Sequence, residues 1–246
     1  DLADKYKVRE YVQSLGLGDT LVKLYGRWDK ASDIDWDRLP NQFVLKVNNG
    51  CGDILICRDK DKLDKATVID TYDRLVSIKY GDVTGEPHYA RIQPCVIAEE
   101  LLDINKQSIN TSSLIDYKVW CLNGKPYCIW CAWNRGKEGA DTGVYDLDWN
   151  YHPEWSVFTE HYRQGKEILP KPKCFERMLE VASKLSEEFP ILRVDLYEVN
   201  EKIYFGELTF TSLGGFMDYL TSEILLDMGS KVRINEISEE YVHVKC

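Results

Sequence analysis

Two short strands from Leu192 to Phe210, "LRVDLYEVNEKIYFGELTF", set Arg193, Asp195 and Glu207 among apolar residues. In a strand, alternate side chains share a face, so Arg193, Asp195 and Tyr197 point one way and Leu192, Val194 and Leu196 the other. A three-residue turn at Asn200–Lys202 sets Asp195 opposite Glu207 and Arg193 opposite Thr209. A two-residue turn slips the register and parts the carboxylates. In the first register the carboxylates lie roughly 5 Å apart at Cβ. Unpaired, they repel, and one pKa rises. A hard divalent cation such as Mg²⁺, which takes one or two carboxylates plus substrate phosphates, relieves that repulsion. The other reading is a salt-bridged sheet surface, with Arg193 on Asp195 and Lys202 on Glu201; the hairpin alone leaves both open.

A second chemistry-bearing stretch is "NQFVLKVNNGCGD", an apolar strand that carries Lys46 into a loop with Gly50 and Gly52. A lysine there can meet a phosphate as a point charge while loop N–H groups cover the rest; an exposed structural lysine is the alternative. It is not the G-x-x-x-x-G-K-[ST] phosphate loop. "VIAEELL" offers backbone donors and acceptors beside apolar side chains, which an adenine edge and face require.

These residues need positioning elements. A helix is expected over Ala3–Leu15, strands near Leu21–Tyr25, Phe43–Asn48, Ile54–Cys57 and Cys95–Leu102, and a helix over Asp64–Ile78. The polar loop Asn105–Ser113 is the best internal boundary. Asn123-Gly124 between apolar runs predicts a hairpin over Asp116–Asn134. Arg135–Lys171 reads as irregular. Apolar residues at helical spacing predict a helix over Lys173–Phe189 stopped by Pro190, and another lies near Ser222–Met228. The order is α+β, antiparallel hairpins with helices on one face.

With 246 residues the chain suffices for one large domain or two interlocked ones. A net charge of -10 argues against a duplex nucleic-acid surface. No run approaches the ~18 apolar residues of a membrane span, and no signal peptide opens the chain. The chain starts at Asp1, which fits an excised domain or a missing leading segment. Eight cysteines follow no secreted framework. Cys128 and Cys131 form a lone C-x-x-C without a second ligand pair, so core thiols are expected rather than a metal site. That favours a cytoplasmic location.

Taken together, "ADKYKVREYV", "LPNQFVLKVNNGCGD", "VIAEELL", "DYKVWCLNGKP", "YDLDW" and the opening hairpin resemble the TupA-like (teichuronopeptide-biosynthesis) family of ATP-grasp proteins over almost the whole chain. The resemblance implies an ATP-grasp fold, two α+β subdomains with antiparallel sheets gripping ATP between them. Residues 1–102 would form the smaller subdomain ending in an adenine hinge, and 103–246 the larger one with the metal hairpin. By the same resemblance Lys5 and Lys46 contact ATP, Glu99, Glu100, Leu101 and Leu102 form the hinge, and Asp103 reaches the ribose. Asp195 and Glu207 hold Mg²⁺. Thr209 stands where many ATP-grasp enzymes carry an Asn ligand, a departure that counts against a full second magnesium site. Arg193 supports the transferred phosphate and Lys118 is a further phosphate contact.

The implied activity is an ATP- and Mg²⁺-dependent carboxylate–amine ligase working through an acyl phosphate, joining an amino acid to a sugar acid, a small-molecule or glycan acceptor, in cell-surface polysaccharide assembly. A kinase acting on a hydroxyl, or a non-catalytic nucleotide-binding module, are the alternatives. Trp130, Trp133, Trp149 and Trp155 read as core residues, with sugar stacking as the alternative. Arg135 and Trp149 are expected beside the acceptor. Gly214 and Gly215 are expected to lend N–H donors to an acyl phosphate. His88, His152, His161 and His243 show no ligand spacing. Oligomeric state is not legible.

Overall fold

The computed structural model describes residues 2–50, 52–78, 80–81 and 86–234. Contacts divide the chain into two compact units, 1–103 and 104–246.

The first unit is built on a four-stranded antiparallel sheet. Its elements run α1 (Val8–Ser14), β1 (Leu24–Trp28), β2 (Phe43–Val47), β3 (Ile54–Cys57), α2 (Lys65–Ser77), α3 (Pro87–Ala90) and β4 (Val96–Glu99). The strand order is β1-β4-β2-β3. Alternation decides which face is covered: Phe43, Leu45 and Val47 are buried and Val44 and Lys46 are not. The buried set packs with Val96, Ala98, Val68 and Tyr72, so α2 covers this face. Burying side chains of this size is worth about 1.5–3 kcal/mol each. α2 starts where Asp64 accepts a hydrogen bond from the Thr67 N–H, an N-cap.

Tyr72 does more than fill space. Its hydroxyl accepts from Leu55 N (3.0 Å) and donates to Leu45 O (2.9 Å), pinning α2 to the middle of the β2–β3 pair. Burial pushes the phenol up to about 12.

The second unit holds a six-stranded sheet of order β10-β9-β5-β6-β7-β8. Its strands are β5 (Asp116–Leu122), β6 (Lys125–Gly136), β7 (Gly139–Tyr145), β8 (Tyr162–Gln164), β9 (Ile191–Val199) and β10 (Lys202–Thr209). Asn123 (φ 50°) and Gly124 (φ 74°) form the expected two-residue turn. β7 and β8 fall in the stretch expected to be irregular, and they pair in parallel, unlike every other pair of strands described. Helix α4 (Phe175–Ser186) lies on one face, where Ala182 O receives the Cys121 thiol. Helix α5 (Ser222–Lys231) packs Ile224 and Met228 on Trp120, Leu122 and Trp130 of the other face. The expectation of helices on a single face is therefore wrong for this sheet. Cys128 and Cys131, an odd number of residues apart, also take opposite faces, opposite Trp120 and Tyr117 respectively. They cannot share a metal, and both thiols are free and buried. Cys51, Cys246 and His243 lie outside the described residues.

Tyr72→Phe removes the partner of a buried N–H and of a carbonyl, at a cost of about 1–3 kcal/mol. Native-state hydrogen exchange at the Leu55 amide should therefore quicken by roughly tenfold or more; unchanged exchange there would remove Tyr72 from the strand pair.

Candidate functional site

In the second unit, β9 runs between β10 and β5, and register aligns two rows of side chains on one face. Lys118, Asp195 and Glu207 form one row; Trp120, Arg193 and Thr209 form the next. The expected pairing of Asp195 with Glu207 is present, but the expected turn is not. The turn has two residues, Asn200 (φ 54°) and Glu201 (φ 57°), so Val199 faces Lys202. A bulge at Gly206, between Phe205 and Glu207, then restores the register. A bulge places two residues against one and so undoes a one-residue slip. Glycine is required there, because a Cβ at 206 would lie 2.9 Å from the Asp195 carbonyl oxygen. The signal was in the sequence as a lone glycine inside a strand pattern. Glu201 pairs with Lys173 (2.5 Å) rather than with Lys202.

Asp195 is 1% exposed and both its oxygens are used. Arg193 grips it as a fork, Nε to Oδ1 at 2.7 Å and Nη2 to Oδ2 at 2.8 Å, and Lys118 Nζ also donates to Oδ2. Burial alone would raise this carboxyl, but the Arg193 and Lys118 charges outweigh it and hold it at about 2. Burial likewise works against the Arg193 guanidinium, and the Asp195 carboxylate overrides it, so Arg193 is raised and stays charged. Arg193 Nη2 also donates to Thr209 Oγ1 (3.0 Å), and Thr209 donates weakly to Glu207 Oε1 (3.4 Å). The Glu207 side chain, 33% exposed, is the open corner of the cluster and lies 3.5 Å from Arg193. Beside it, Asp116 is buried and binds the half-exposed Arg135 at 2.7 Å.

This donor set is all oxygen: two adjacent carboxylates and a hydroxyl. Among the described residues, no group of three or more His, Cys, Asp and Glu side chains assembles to hold a metal. A cation that completes its shell with water and substrate oxygens fits such a partial set, and Mg²⁺ is that kind of cation. The pairing of Asp195 sets a condition: Oδ2 already accepts from both Arg193 and Lys118, so a cation on Oδ2 displaces Lys118.

In the first unit, Lys46 is neither free nor exposed. Its Nζ meets Glu99 Oε2 at 2.5 Å, and Arg9 Nη1 meets Glu99 Oε1 at 3.1 Å. The Glu99 carboxylate is thus the counter-ion of two cations. The Glu100 N–H donates to Lys23 O. Leu102 is buried and Asp103 is exposed. Lys5 Nζ donates to Gly50 O, placing it on the glycine loop. Sequence reasoning missed Arg9 and the clamp between Asp4 and Asn48. Asp4 is buried and accepts from Asn48 Nδ2 (2.9 Å), while Asn48 Oδ1 accepts from Cys95 N (2.7 Å), fixing the N-terminal segment to the end of β2. A polar residue on each side of the helix start was the available signal.

The tryptophans are structural. Trp130 and Trp133 are each 3% exposed. Trp149 stacks on Tyr145 (4.4 Å) and donates to Leu169 O. Trp155 stacks on His152 at 3.9 Å. The Gly214 N–H donates to Thr211 O within its own turn, so it is not the expected donor to a substrate.

The fold and these clusters define an ATP-grasp protein. A family model, TupA-like ATP-grasp, matches residues 1–233, and the chain belongs to that family. Among solved structures it is similar to the D-alanine–D-alanine ligase of Bacillus anthracis. The identity is 15% and the TM-score 0.53, over 94% of this chain and 67% of that one. The same ligase complexed with ATP gives 16% identity and a TM-score of 0.56, over 94% of this chain and 65% of that one. The chain thus spans about two thirds of the length of those ligases. No curated protein matches the sequence. No helix among the described residues is long and apolar enough to cross a membrane.

Two outcomes follow. Gly206→Ala forces the β10 backbone away from the Asp195 carbonyl and misaligns Glu207; Mn²⁺ affinity in the presence of ADP should fall by about tenfold or more, and an unchanged affinity would show the bulge to be irrelevant to the carboxylate pair. The second concerns His152. Burial opposes its charge, but Glu154 (2.7 Å) and Asp146 (3.2 Å) prevail and raise its pKa above 6.5. A raised folded pKa stabilises fully below the unfolded value and fades as pH rises through the folded one. NMR titration should give His152 a pKa above 6.5 that drops in Glu154→Gln; no drop would contradict the pairing.

Proposed function

We propose that this protein is an ATP- and Mg²⁺-dependent carboxylate–amine ligase that joins an amino acid to a sugar acid in the assembly of a cell-surface polysaccharide. The observation that carries it is the aligned pair Asp195–Glu207 with Arg193 and Lys118 on the same face, in a chain of an ATP-grasp family. A solved relative in fold is a ligase complexed with ATP, which supports the nucleotide.

A carboxylate is a poor electrophile because its leaving oxygen is bad. Phosphorylation gives an acyl phosphate with a good leaving group, and an amine then displaces phosphate. Such transfer relies on positioning and charge neutralisation. In this reading Asp195 and Glu207, with Thr209, would hold Mg²⁺, which would supply neutralising charge to the phosphates. Arg193 donates to the phosphate as charge develops. Lys118, released from Asp195, serves as a further phosphate contact. In the first unit Lys46 and Lys5 act on ATP phosphates, and Glu99 keeps Lys46 extended at the strand end until a phosphate competes for it. With the Glu99 side chain and the Glu100 N–H committed, the adenine edge falls to the backbone of Leu101 and Leu102, and Asp103 to the ribose. The smaller unit through residue 102 and the larger unit from 103 carry these two sets. Free thiols at the six described cysteines support a reducing, cytoplasmic location.

The test is incubation with ATP, Mg²⁺ and pools of amino acids and uronic-acid sugars, reading ADP release and product mass. Amide formed one for one with ADP and phosphate supports the ligase. A phosphorylated product makes it a kinase, and no ADP with any acceptor leaves a binding module. Lys46→Ala should weaken ATP binding yet stay folded, because Arg9 keeps the buried Glu99 paired. Glu207→Gln should lose turnover and regain part of it at high Mg²⁺ or with Mn²⁺, whereas Arg193→Leu should lose about 100-fold or more without such recovery. Equal recovery in both would sink the division of roles.

A further inference from the structure

Arg193 has one more partner that the ion-pair lattice does not account for. Its Nη1 donates to Ser212 Oγ at 2.8 Å, and Ser212 Oγ lies 2.8 Å from the Tyr219 hydroxyl. All three residues are buried, at 8%, 4% and 3% exposure. We propose that Ser212 and Tyr219 are positioning residues that fix the rotation of the Arg193 guanidinium, and so the direction of the Nη2 hydrogen that faces Thr209 and Glu207. The proposal rests on the reading above that Arg193 meets the transferring phosphate.

The argument starts from donor counting. A guanidinium has five N–H groups. In Arg193, Nε and one Nη2 hydrogen go to Asp195, and the other faces Thr209 and Glu207. Nη1 carries the other two: Ser212 takes one, and the Tyr219 hydroxyl also lies within hydrogen-bond reach of the guanidinium. A serine hydroxyl rotates freely, so a single serine would be a loose anchor. Tyr219 removes that freedom by sharing a hydrogen bond with it, and chains of such bonds polarise one another at low dielectric.

Tyr219 is held rigidly enough for this. Its carbonyl accepts from Val157 N (3.0 Å), and its ring packs on Trp130 (4.8 Å) and Tyr162 (5.9 Å). The chain returns from Ser212 to Tyr219 through Leu213 (φ 50°), Gly214 (φ 63°) and Gly215 (φ 96°), all left-handed. Left-handed backbone is costly at a leucine, and such strain persists only where surrounding contacts over-determine it. Aromatic packing needs only the Tyr219 ring; the hydroxyl serves Ser212 and Arg193.

The experiment uses the full chain labelled with ¹⁵N-arginine, with Arg193 signals assigned by their loss in Arg193→Lys. Hydrogen exchange and Cζ–N rotation at Arg193 should quicken by about tenfold in Tyr219→Phe. They should quicken in Ser212→Ala too, and the combined variant should change by less than the two single effects multiplied, since the two hydroxyls are bonded to each other on one guanidinium. Ser212→Thr, which keeps the hydroxyl, should restore the wild-type value. In ADP release, Tyr219→Phe should lower kcat with KM for ATP within about twofold. Unchanged Arg193 exchange in Tyr219→Phe, or effects that multiply in the double variant, overturn the proposal. If the wild-type protein releases no ADP, the ligase reading fails by itself, and the exchange measurements still decide whether Tyr219 and Ser212 orient Arg193.

Discussion

A charged residue buried in the middle of a sheet is stable only if its neighbours neutralise it, and Asp195 imposes that constraint on three strands at once. An uncompensated buried charge costs about 3–5 kcal/mol once its partner is removed. Arg193 lies two residues away on the same strand, Lys118 directly across on β5, and Glu207 directly across on β10. The register of all three strands must be right for this charge set to assemble. Register slips in sheets are ordinarily opposed by apolar alternation alone. Here the Lys118–Asp195 ion pair adds a second penalty between β5 and β9, and the bulge in β10 brings Glu207 and Thr209 level with Asp195 and Arg193.

The first unit solves a similar problem more simply. Lys46 and Arg9 converge on the buried Glu99, and Asp4 and Asn48 tie the N-terminal segment to the β2 end. Each cation in the two clusters already has a protein carboxylate, so binding an anion there is an exchange of partners rather than the filling of a bare charge. Such exchange keeps the free protein stable and leaves the cations pre-placed. The cost is that the carboxylate left behind relies on the partners it keeps: Arg9 for Glu99, and Arg193 together with a cation for Asp195.

Much of this was legible in the sequence. The helix Lys65–Ser77 lies within the expected Asp64–Ile78 span, and the Asn-Gly turn announced β5 and β6. The facing of Asp195 and Glu207 was read correctly for the wrong reason. The three-residue turn expected there is a two-residue turn, and the bulge at Gly206 makes up the difference. β8 carries no local signal because it is three residues long and pairs in parallel, whereas β7 follows β6 across the short turn at Gly136–Gly139, a hairpin signal inside the stretch read as irregular. Ser212 and Tyr219 could not be found from spacing, since their meeting depends on three successive left-handed residues. Arg9 and Glu99 are ninety positions apart, and only the fold joins them.

The central claim is that Asp195 and Glu207 share a cation and that Lys118 gives up Asp195 when they do. Anomalous diffraction at the manganese edge, on crystals grown with ADP and Mn²⁺, tests it directly. The account predicts an anomalous peak within ligand distance of both carboxylates, with Lys118 Nζ moved off Asp195 Oδ2. A structure with ADP bound, Asp195 still gripped by both Arg193 and Lys118, and no manganese between the carboxylates would contradict it.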